Sequence, residues 1–287
     1  MRHWIPLYTA ALLLFASMTT AQIVRSEPLQ ISATMQAMHN QIDAWLNELA
    51  QQTAFAEWPT AERTVTALGP GTHSWLVTLA QGQETVGYLV VQATPNGAFR
   101  LGEYGLGSEP LYSASVLQRS LASLGLDDAK DTLQIEQRYA SPLLAAWRIV
   151  KEGESPLYLD AKTGEQLPIQ DTIWLKAVAD SVLEASSIVG ASEPTPFLLL
   201  PTFDVYERMP WLTGAPLSIS FRELAIKLSQ QDHIWYSSEP YGGAHRFVWA
   251  VIGYHGWSDG LPYMAIDHEG TRYIPFDILA ANGHYYD

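Results

Sequence analysis

The first regular pattern along the chain is an apolar stripe between residues 30 and 51. Its members recur mostly at three- and four-residue intervals and are Met35, Met38, Ile42, Trp45, Leu46 and Leu49. This spacing places them on one face of an α-helix. The opposite, polar face carries no lysine or arginine, which a membrane-surface helix would need. The pattern therefore predicts a helix that packs on a protein core.

After residue 62 the pattern changes to runs that favour strands. Three such runs are SWLVTLA (74–80), TVGYLVVQA (85–93) and AFRLGEYG (98–105), which are rich in β-branched, aromatic and other apolar residues. The segment TPNG (94–97) separates the last two and contains an Asn-Gly pair, which is typical of a tight hairpin turn. These two runs are therefore predicted to be antiparallel neighbours.

Helical and strand patterns then alternate as far as residue 187. The segments 113–125 and 171–187 have helical spacing, and the segments between them that favour strands are TLQIEQRYA, LLAAWRIV and PLYLDA. Helices packed against antiparallel strands are the mark of the α+β class. We therefore predict an α+β fold with antiparallel sheets and packed helices.

A proline-rich stretch, SEPTPFLLLPTF (192–203), divides the chain. We interpret it as a linker or as the entry to a second domain. Beyond it, a helix is predicted to begin near Pro216, and three short strands follow it: HRFVWAVIGYH, PYMAIDH and TRYIPF. The sequence thus predicts two α+β domains, at 30–190 and 196–287.

The first residues have the organisation of a bacterial-type signal peptide. Arg2 and His3 are basic, Trp4–Met18 is apolar, and small residues precede Gln22. The apolar stretch is short for a membrane span, which needs about 20 residues. We expect a signal peptide at 1–21, a secreted or cell-envelope location, and no membrane contact beyond this segment. An uncleaved N-terminal anchor is the alternative.

Composition and charge narrow the classes of partner. The 287 residues are 47% hydrophobic and carry a formal net charge of −14, which argues against nucleic acid because phosphate binding needs clustered Lys and Arg. The absence of cysteine excludes disulfides, thiolate metal sites and thiol nucleophiles. No motif for a cofactor is present, so we expect none.

One segment resembles the closing hairpin of PepSY-type modules, which also occur in the propeptides of secreted peptidases. The segment is SPLYLDAKTGEQLP (155–168), in which a strand ends in Asp-Ala-x-Thr-Gly-Glu. The resemblance implies a PepSY- or propeptide-like character for the domain at 30–190. A tight β-turn with Asp and Gly in any other protein could carry the same letters.

The last 75 or so residues resemble the papain-like fold of bacteriocin-leader-peptidase-like cysteine peptidases. The matching segments are GAPLSISFRELAIKL for the nucleophile helix, GAHRFVWAVIGY for the histidine strand and YMAIDHEGTRYIP for the Asp turn. The resemblance implies that His245 and Asp267 fill the second and third places of a triad. The cysteine is missing, and Ser218 or Ser220 would be a poor substitute because an alcohol is a weaker nucleophile. The resemblance thus implies a pseudoenzyme, with the fold but without the peptidase activity.

Other candidate residues cluster in the same region. Four aromatic side chains could line a groove for a peptide or a sugar, although packing in a core explains them as well: Trp249, Tyr254, Trp257 and Tyr263. Asp267 and Glu269 could form a carboxylate pair, but a solvated turn is the simpler interpretation. The C-terminal histidines match no established metal motif, so we predict no metal site.

The interpretation that these observations favour is a non-catalytic protein that binds a peptide or a secreted protein at the cell envelope, for example to restrain a peptidase. Two alternatives remain open. One is a hydrolase that uses His245 and Asp267 with a serine or a metal-activated water. The other is a purely structural surface protein.

Overall fold

The computed structural model describes residues 27–69, 73–126, 132–181, 196–257 and 260–287, with side chains from residue 33. The predicted signal peptide and the end of the predicted helix at 171–187 lie outside the described residues. The chain divides into two compact units, residues 1–41 and 42–287.

The described residues form helices and antiparallel strands. The helices are α1 (Glu27–Leu49), α2 (Ala114–Ser123), α3 (Asp171–Asp180), α4 (Pro210–Thr213), α5 (Phe221–Ser229) and α6 (Phe276–Asn282). The strands are β1 (Glu62–Ala67), β2 (Ser74–Gln81), β3 (Glu84–Ala93), β4 (Phe99–Leu106), β5 (Leu133–Ser141), β6 (Leu144–Lys151), β7 (Leu157–Asp160), β8 (Gln166–Leu167), β9 (Phe197–Leu199), β10 (Ile234–Ser238), β11 (Phe247–Gly256), β12 (Pro262–Asp267), β13 (Thr271–Pro275) and β14 (His284–Tyr286). The predicted α+β class is confirmed.

The strands belong to two sheets. Sheet A has the order β1-β2-β3-β4-β13-β12-β11-β10-β14, and β9 pairs with β11. Sheet B has the order β5-β6-β7-β8. The predicted hairpin of β3 and β4 is confirmed, and the three strands predicted after the helix near Pro216 are β11, β12 and β13, which pair as an antiparallel meander. The helical stripe is confirmed over the second half of α1, where Ile42, Leu46 and Leu49 are buried, whereas Met35 at its start is exposed.

The two halves of sheet A meet at one short junction. Strands β4 and β13 pair at only two positions, Arg272 opposite Gly105 and Tyr273 opposite Tyr104. Residues on both sides of the predicted boundary near 196 therefore contribute to one sheet. The division into a PepSY-like and a papain-like domain stays a prediction.

Sheet B lies between two apolar clusters, because side chains of a strand alternate between its faces. On β6, Leu144 and Ala146 belong to a cluster with β10–β13 and helices α3, α5 and α6. The alternate residues Ala145 and Trp147 belong to a cluster with β2, β3 and helix α2. Sheet B thereby shares a core with each half of sheet A.

Part of the predicted linker is a strand. Phe197–Leu199 pairs with β11, and Leu199 lies opposite Gly253. The close approach requires a glycine, because a Cβ at Gly253 would lie 2.0 Å from the Leu198 carbonyl oxygen. The apolar run between Pro196 and Pro201 is thus extended and paired, which the proline spacing alone did not indicate.

Helix α5 begins five residues later than predicted. Pro216 lies in an extended segment, where the Leu217 amide donates to the Tyr285 carbonyl at 2.8 Å. The helix begins after Ser220, whose Oγ accepts from the Glu223 amide at 3.4 Å while Glu223 Oε2 accepts from the Ser220 amide at 2.9 Å. This reciprocal arrangement is a capping box, which satisfies backbone donors that a helix start leaves open.

Replacing Ser220 with Ala should therefore lower the free energy of unfolding by about 1 kcal/mol, because the cap is lost. Urea denaturation followed by circular dichroism measures the change. Ser123→Ala is the matched control, since Ser123 Oγ only donates to the Ser120 carbonyl at an exposed helix end. We expect that control to change stability by less than about 0.5 kcal/mol. Equal effects of the two substitutions would contradict a stabilising role of the cap.

Candidate functional site

Among the residues that the structure describes, no hydrogen bond or ion pair joins His245 to Asp267. Asp267 lies opposite Ala250 in the pairing of β11 with β12, and paired residues share a face of the sheet. The His245 ring contacts Phe247 at 4.6 Å between centroids, and Phe247 and Trp249 point to the other face, into the first apolar cluster. The two predicted triad members thus have different neighbours, since the His245 ring packs on Phe247 and the Asp267 carboxylate accepts from Thr202 and Gly270.

Asp267 has a local structural role instead. Its Oδ2 accepts a hydrogen bond from Thr202 Oγ1, and its Oδ1 accepts from the Gly270 amide at 3.3 Å. These bonds fix the turn between β12 and β13 and tie it to the segment after β9. Ser220, one of the serines considered as a nucleophile, is occupied by the cap of α5.

Three of the four predicted groove aromatics are buried in packing contacts. Trp249 lies between Phe247 and His268, with centroids 5.0 and 4.7 Å away. Trp257 and Tyr263 pack on Tyr104 from the other face of sheet A, at 5.7 and 5.4 Å. Their burial corrects the prediction that they line a groove, because the ring faces are covered by other rings.

The aromatic cluster on that second face also includes His255, one of the C-terminal histidines. His255 Nδ1 lies 2.7 Å from the Tyr104 hydroxyl, and its ring stacks on Phe55 at 6.3 Å. Burial lowers the pKa of His255 to about 4, so the imidazole is neutral at pH 7. It contributes a hydrogen bond and ring packing beside the β4–β13 junction.

A buried ionic network lies on the opposite face of the junction. Arg272 Nη2 donates to Glu103 Oε2 at 2.6 Å and to the Pro142 carbonyl at 2.8 Å. Arg272 Nη1 donates to His268 Nδ1 at 2.8 Å. Since arginine can only donate, the proton of neutral His268 lies on Nε2, which faces Asp160 Oδ1 at 3.7 Å.

The network extends to the turn that resembles the PepSY hairpin. Asp160 Oδ1 accepts from the amides of Lys162 and Thr163 at 2.9 and 2.8 Å. Lys162 Nζ donates to the carbonyls of Glu109 and Glu269 at 2.6 and 2.8 Å. The Asp-Ala-Lys-Thr-Gly segment thus has a structural role here. Its residues form a turn and place the Lys162 ammonium group between two loops.

Burial sets the protonation of this network. Desolvation raises the pKa of Glu103, while the adjacent Arg272 guanidinium opposes the rise. Desolvation lowers the pKa of Lys162. It also lowers the pKa of His268 to about 3, against the pull of Asp160. Within the described residues, Glu103 Oε1 and Arg272 Nε have no hydrogen-bond partner, so the pair is enclosed but incompletely satisfied.

The sequence contains one signal for this network. Glu103 and Arg272 are single charges at inward positions of apolar strands. A charge at such a position is costly unless it is paired. Two lone inward charges of opposite sign are therefore a hint of a contact between distant strands.

Tyr254 is the one predicted groove residue that lines an open cleft. The cleft has a volume of about 520 Å³ and is lined by Pro196, Phe221, Arg222, Ala225, Ile226, Ser229 and Tyr254. Tyr254 meets Phe221 edge to face at 5.7 Å between centroids. The Ile226 side chain is 49% exposed, so the cleft is open to solvent. Its walls are a helix and a strand, which hold the lining residues in place.

The described residues show neither a metal-binding cluster nor a membrane-spanning helix. Over the described ranges, which begin at residue 27, no three His, Asp or Glu side chains are grouped to hold a metal ion. Within the same ranges, no helix is both long and apolar enough to span a membrane. Comparison of the chain with protein-family models, with curated proteins and with solved structures finds no match. Both family resemblances therefore stay predictions.

Replacing Arg272 with Met should lower the free energy of unfolding by about 3–5 kcal/mol, because Glu103 is left buried without its partner. Chemical denaturation measures the loss. The double substitution Glu103→Leu and Arg272→Met should recover at least half of it, since neither member of the pair is then left as a buried charge without its partner. Arg119→Met is the control, because Arg119 pairs with Glu109 at 2.8 Å but is 61% exposed, and it should cost about 1 kcal/mol or less. A loss at Arg272 no larger than at Arg119 would contradict the importance of the buried pair.

The depressed pKa of His268 predicts a loss of stability in acid. Below the ordinary histidine pKa of about 6.5 the unfolded imidazole binds a proton, while the folded one does so only near pH 3. This one group therefore removes up to about 1.4 kcal/mol per pH unit as pH falls from about 6 towards 3. His268→Asn keeps an acceptor for Arg272 but cannot bind this proton. Between about pH 6 and 3 the free energy of unfolding of this variant should therefore fall less steeply with pH, by the slope that corresponds to one proton. Parallel curves for the two proteins in urea titrations would refute the assignment.

Proposed function

We propose that the chain is an exported, non-catalytic protein that binds a peptide segment at the cell envelope. The observation that carries the proposal is the cleft of Tyr254, in which apolar side chains stand on α5 and β11 around an open volume of about 520 Å³. Ligand pockets of roughly 300–1,000 Å³ with mainly apolar walls are typical of sites for small ligands or single side chains. The cleft suits one or two large apolar side chains of a peptide.

The non-catalytic part of the proposal rests on the described part of the chain, in which no nucleophile is paired with an accessible histidine. The chain has no cysteine. Within the described residues, no hydrogen bond or ion pair joins His245 to Asp267, whose carboxylate accepts from Thr202 and Gly270. The imidazoles of His255 and His268 are buried, with pKa values of about 4 and 3, and His268 Nδ1 is occupied by Arg272. None of these histidines is placed to take a proton from a serine on an accessible surface.

The export part of the proposal rests on the N-terminal sequence alone. A basic start, a short apolar stretch and small residues before Gln22 are the three parts of a signal peptide. A chain without cysteine is compatible with an oxidising space, since it has no thiol to protect. An excess of acidic residues keeps such a protein soluble after export.

A second pocket is a less suitable binding site than the Tyr254 cleft. It has a volume of about 360 Å³ between β10, β14 and α4 and includes Glu239 and Arg246. These two side chains pair with each other at 2.5 Å, so their charges are already matched within the chain. The Tyr254 cleft instead presents an exposed apolar side chain, Ile226, whose burial a ligand would favour.

Ile226→Ser should weaken the binding of a peptide to this cleft about tenfold, because roughly 1.4 kcal/mol of apolar contact is removed. Peptides would be selected from a random displayed library on the purified protein, and their affinities measured by fluorescence anisotropy. Ile135→Ser is the matched control, since Ile135 is 40% exposed on β5 and outside the cleft lining. That control should leave affinity unchanged.

Two outcomes would overturn the proposal. If no peptide is enriched, or if Ile226→Ser binds the selected peptides as well as the unaltered protein does, the cleft is not the binding site. If mass spectrometry finds the selected peptides cleaved by the purified protein, the non-catalytic part is wrong. In that case an alternative with a hydrolytic activity replaces it.

A further inference from the structure

One cation in the described part of the chain differs from all others there. Among the residues that the structure describes, Arg222 has no salt bridge, hydrogen bond or aromatic partner. The other described lysines and arginines each have at least one, and they are Arg63, Arg100, Arg119, Arg138, Arg148, Lys151, Lys162, Lys176, Arg208, Lys227, Arg246 and Arg272. In a chain of net charge −14, a guanidinium without a carboxylate partner is the exception.

Arg222 does not stabilise the helix that carries it. It is the second residue of α5, and the partial positive charge of a helix N-terminus disfavours a cation in the first turn. Glu223, which completes the capping box, is the residue that suits this position electrostatically. The fold therefore gives no reason for an arginine at position 222.

The position of Arg222 relates it to the cleft. Arg222 lines the cleft together with Ile226 and Tyr254. Residues four apart on a helix are neighbours, with Cβ atoms about 5–6 Å apart, so the guanidinium stands beside the exposed Ile226 side chain. One wall of the cleft thus offers an unpaired positive charge next to an apolar surface.

We infer that the ligand of this cleft is the C-terminal end of a peptide, with its carboxylate on Arg222 and its last, apolar side chain against Ile226 and Tyr254. The inference rests on the proposed function and specifies its ligand. A guanidinium matches a carboxylate in charge and in its two-pronged geometry. In an extended peptide successive side chains point to opposite sides, so an acidic residue next to an apolar one would face away. A C-terminal residue carries both groups on one Cα atom.

The test compares three dipeptide probes that carry a carboxylate at the C-terminus, nowhere, or on a side chain. They are N-acetyl-leucyl-phenylalanine as the free acid, the same dipeptide as its C-terminal amide, and N-acetyl-aspartyl-phenylalanine amide. Isothermal titration calorimetry on the purified protein at low salt measures each affinity. We expect the free acid to bind about five- to tenfold more tightly than either amide.

Two variants assign that preference to Arg222. Arg222→Gln should abolish the preference for the free acid and leave the affinity of the leucyl amide unchanged. Arg119→Gln removes one positive charge outside the cleft, so it matches the change in net charge, and it should keep the preference. Circular dichroism spectra and urea curves equal to those of the unaltered protein would show that both variants are folded.

The outcomes separate this inference from the proposed function. Equal affinities of acid and amide, both lost in Ile226→Ser, would overturn the role of the carboxylate and leave peptide binding at the cleft intact. If the aspartyl amide binds more tightly than the free acid and this depends on Arg222, the bound carboxylate belongs to an acidic side chain. That result would overturn the inference that the ligand is a peptide C-terminus. Absence of binding by all three probes would overturn both proposals.

Discussion

The pairing of Arg272 with Glu103 is the contact on which the larger structure depends. It lies at the point where β4 meets β13, and these strands share only two residue pairs. On the other face of the same point, the rings of Tyr104 and Tyr273 stack at 4.6 Å. Arg272 also reaches the Pro142 carbonyl of sheet B. A short strand pairing is thus reinforced on both faces, by charge on one and by aromatic packing on the other.

The parts of the fold that sequence could predict are those with local causes. The β3–β4 hairpin follows from Asn96-Gly97, and the α1 stripe follows from helical spacing. The contact of β4 with β13 cannot be predicted from local sequence. It forms because two strands that are distant in the chain each have one edge without a neighbouring strand. Strand β14 was not predicted, because three residues are too few to show the alternation of apolar and polar side chains.

The candidate site could likewise be predicted only in part. The sequence indicated which aromatic residues the C-terminal strands carry, but Trp249 and Tyr263 serve packing while Tyr254 lines a cleft. Aromatic side chains suit both purposes, so only their surroundings distinguish them. Whether an arginine lacks a partner likewise depends on the folded chain. The sequence alone therefore did not indicate Arg222 as a binding residue.

The long separation of the junction strands has a consequence for the order of folding. Glu103 and Arg272 are 169 residues apart, so strand β4 has no neighbour on one side until nearly the whole chain has been made. Contacts of such high contact order form slowly because the loop they close is long. During that interval β4 presents an open edge to any other extended chain. The nascent protein therefore passes through a stage that favours capture by a chaperone or mispairing with a second copy.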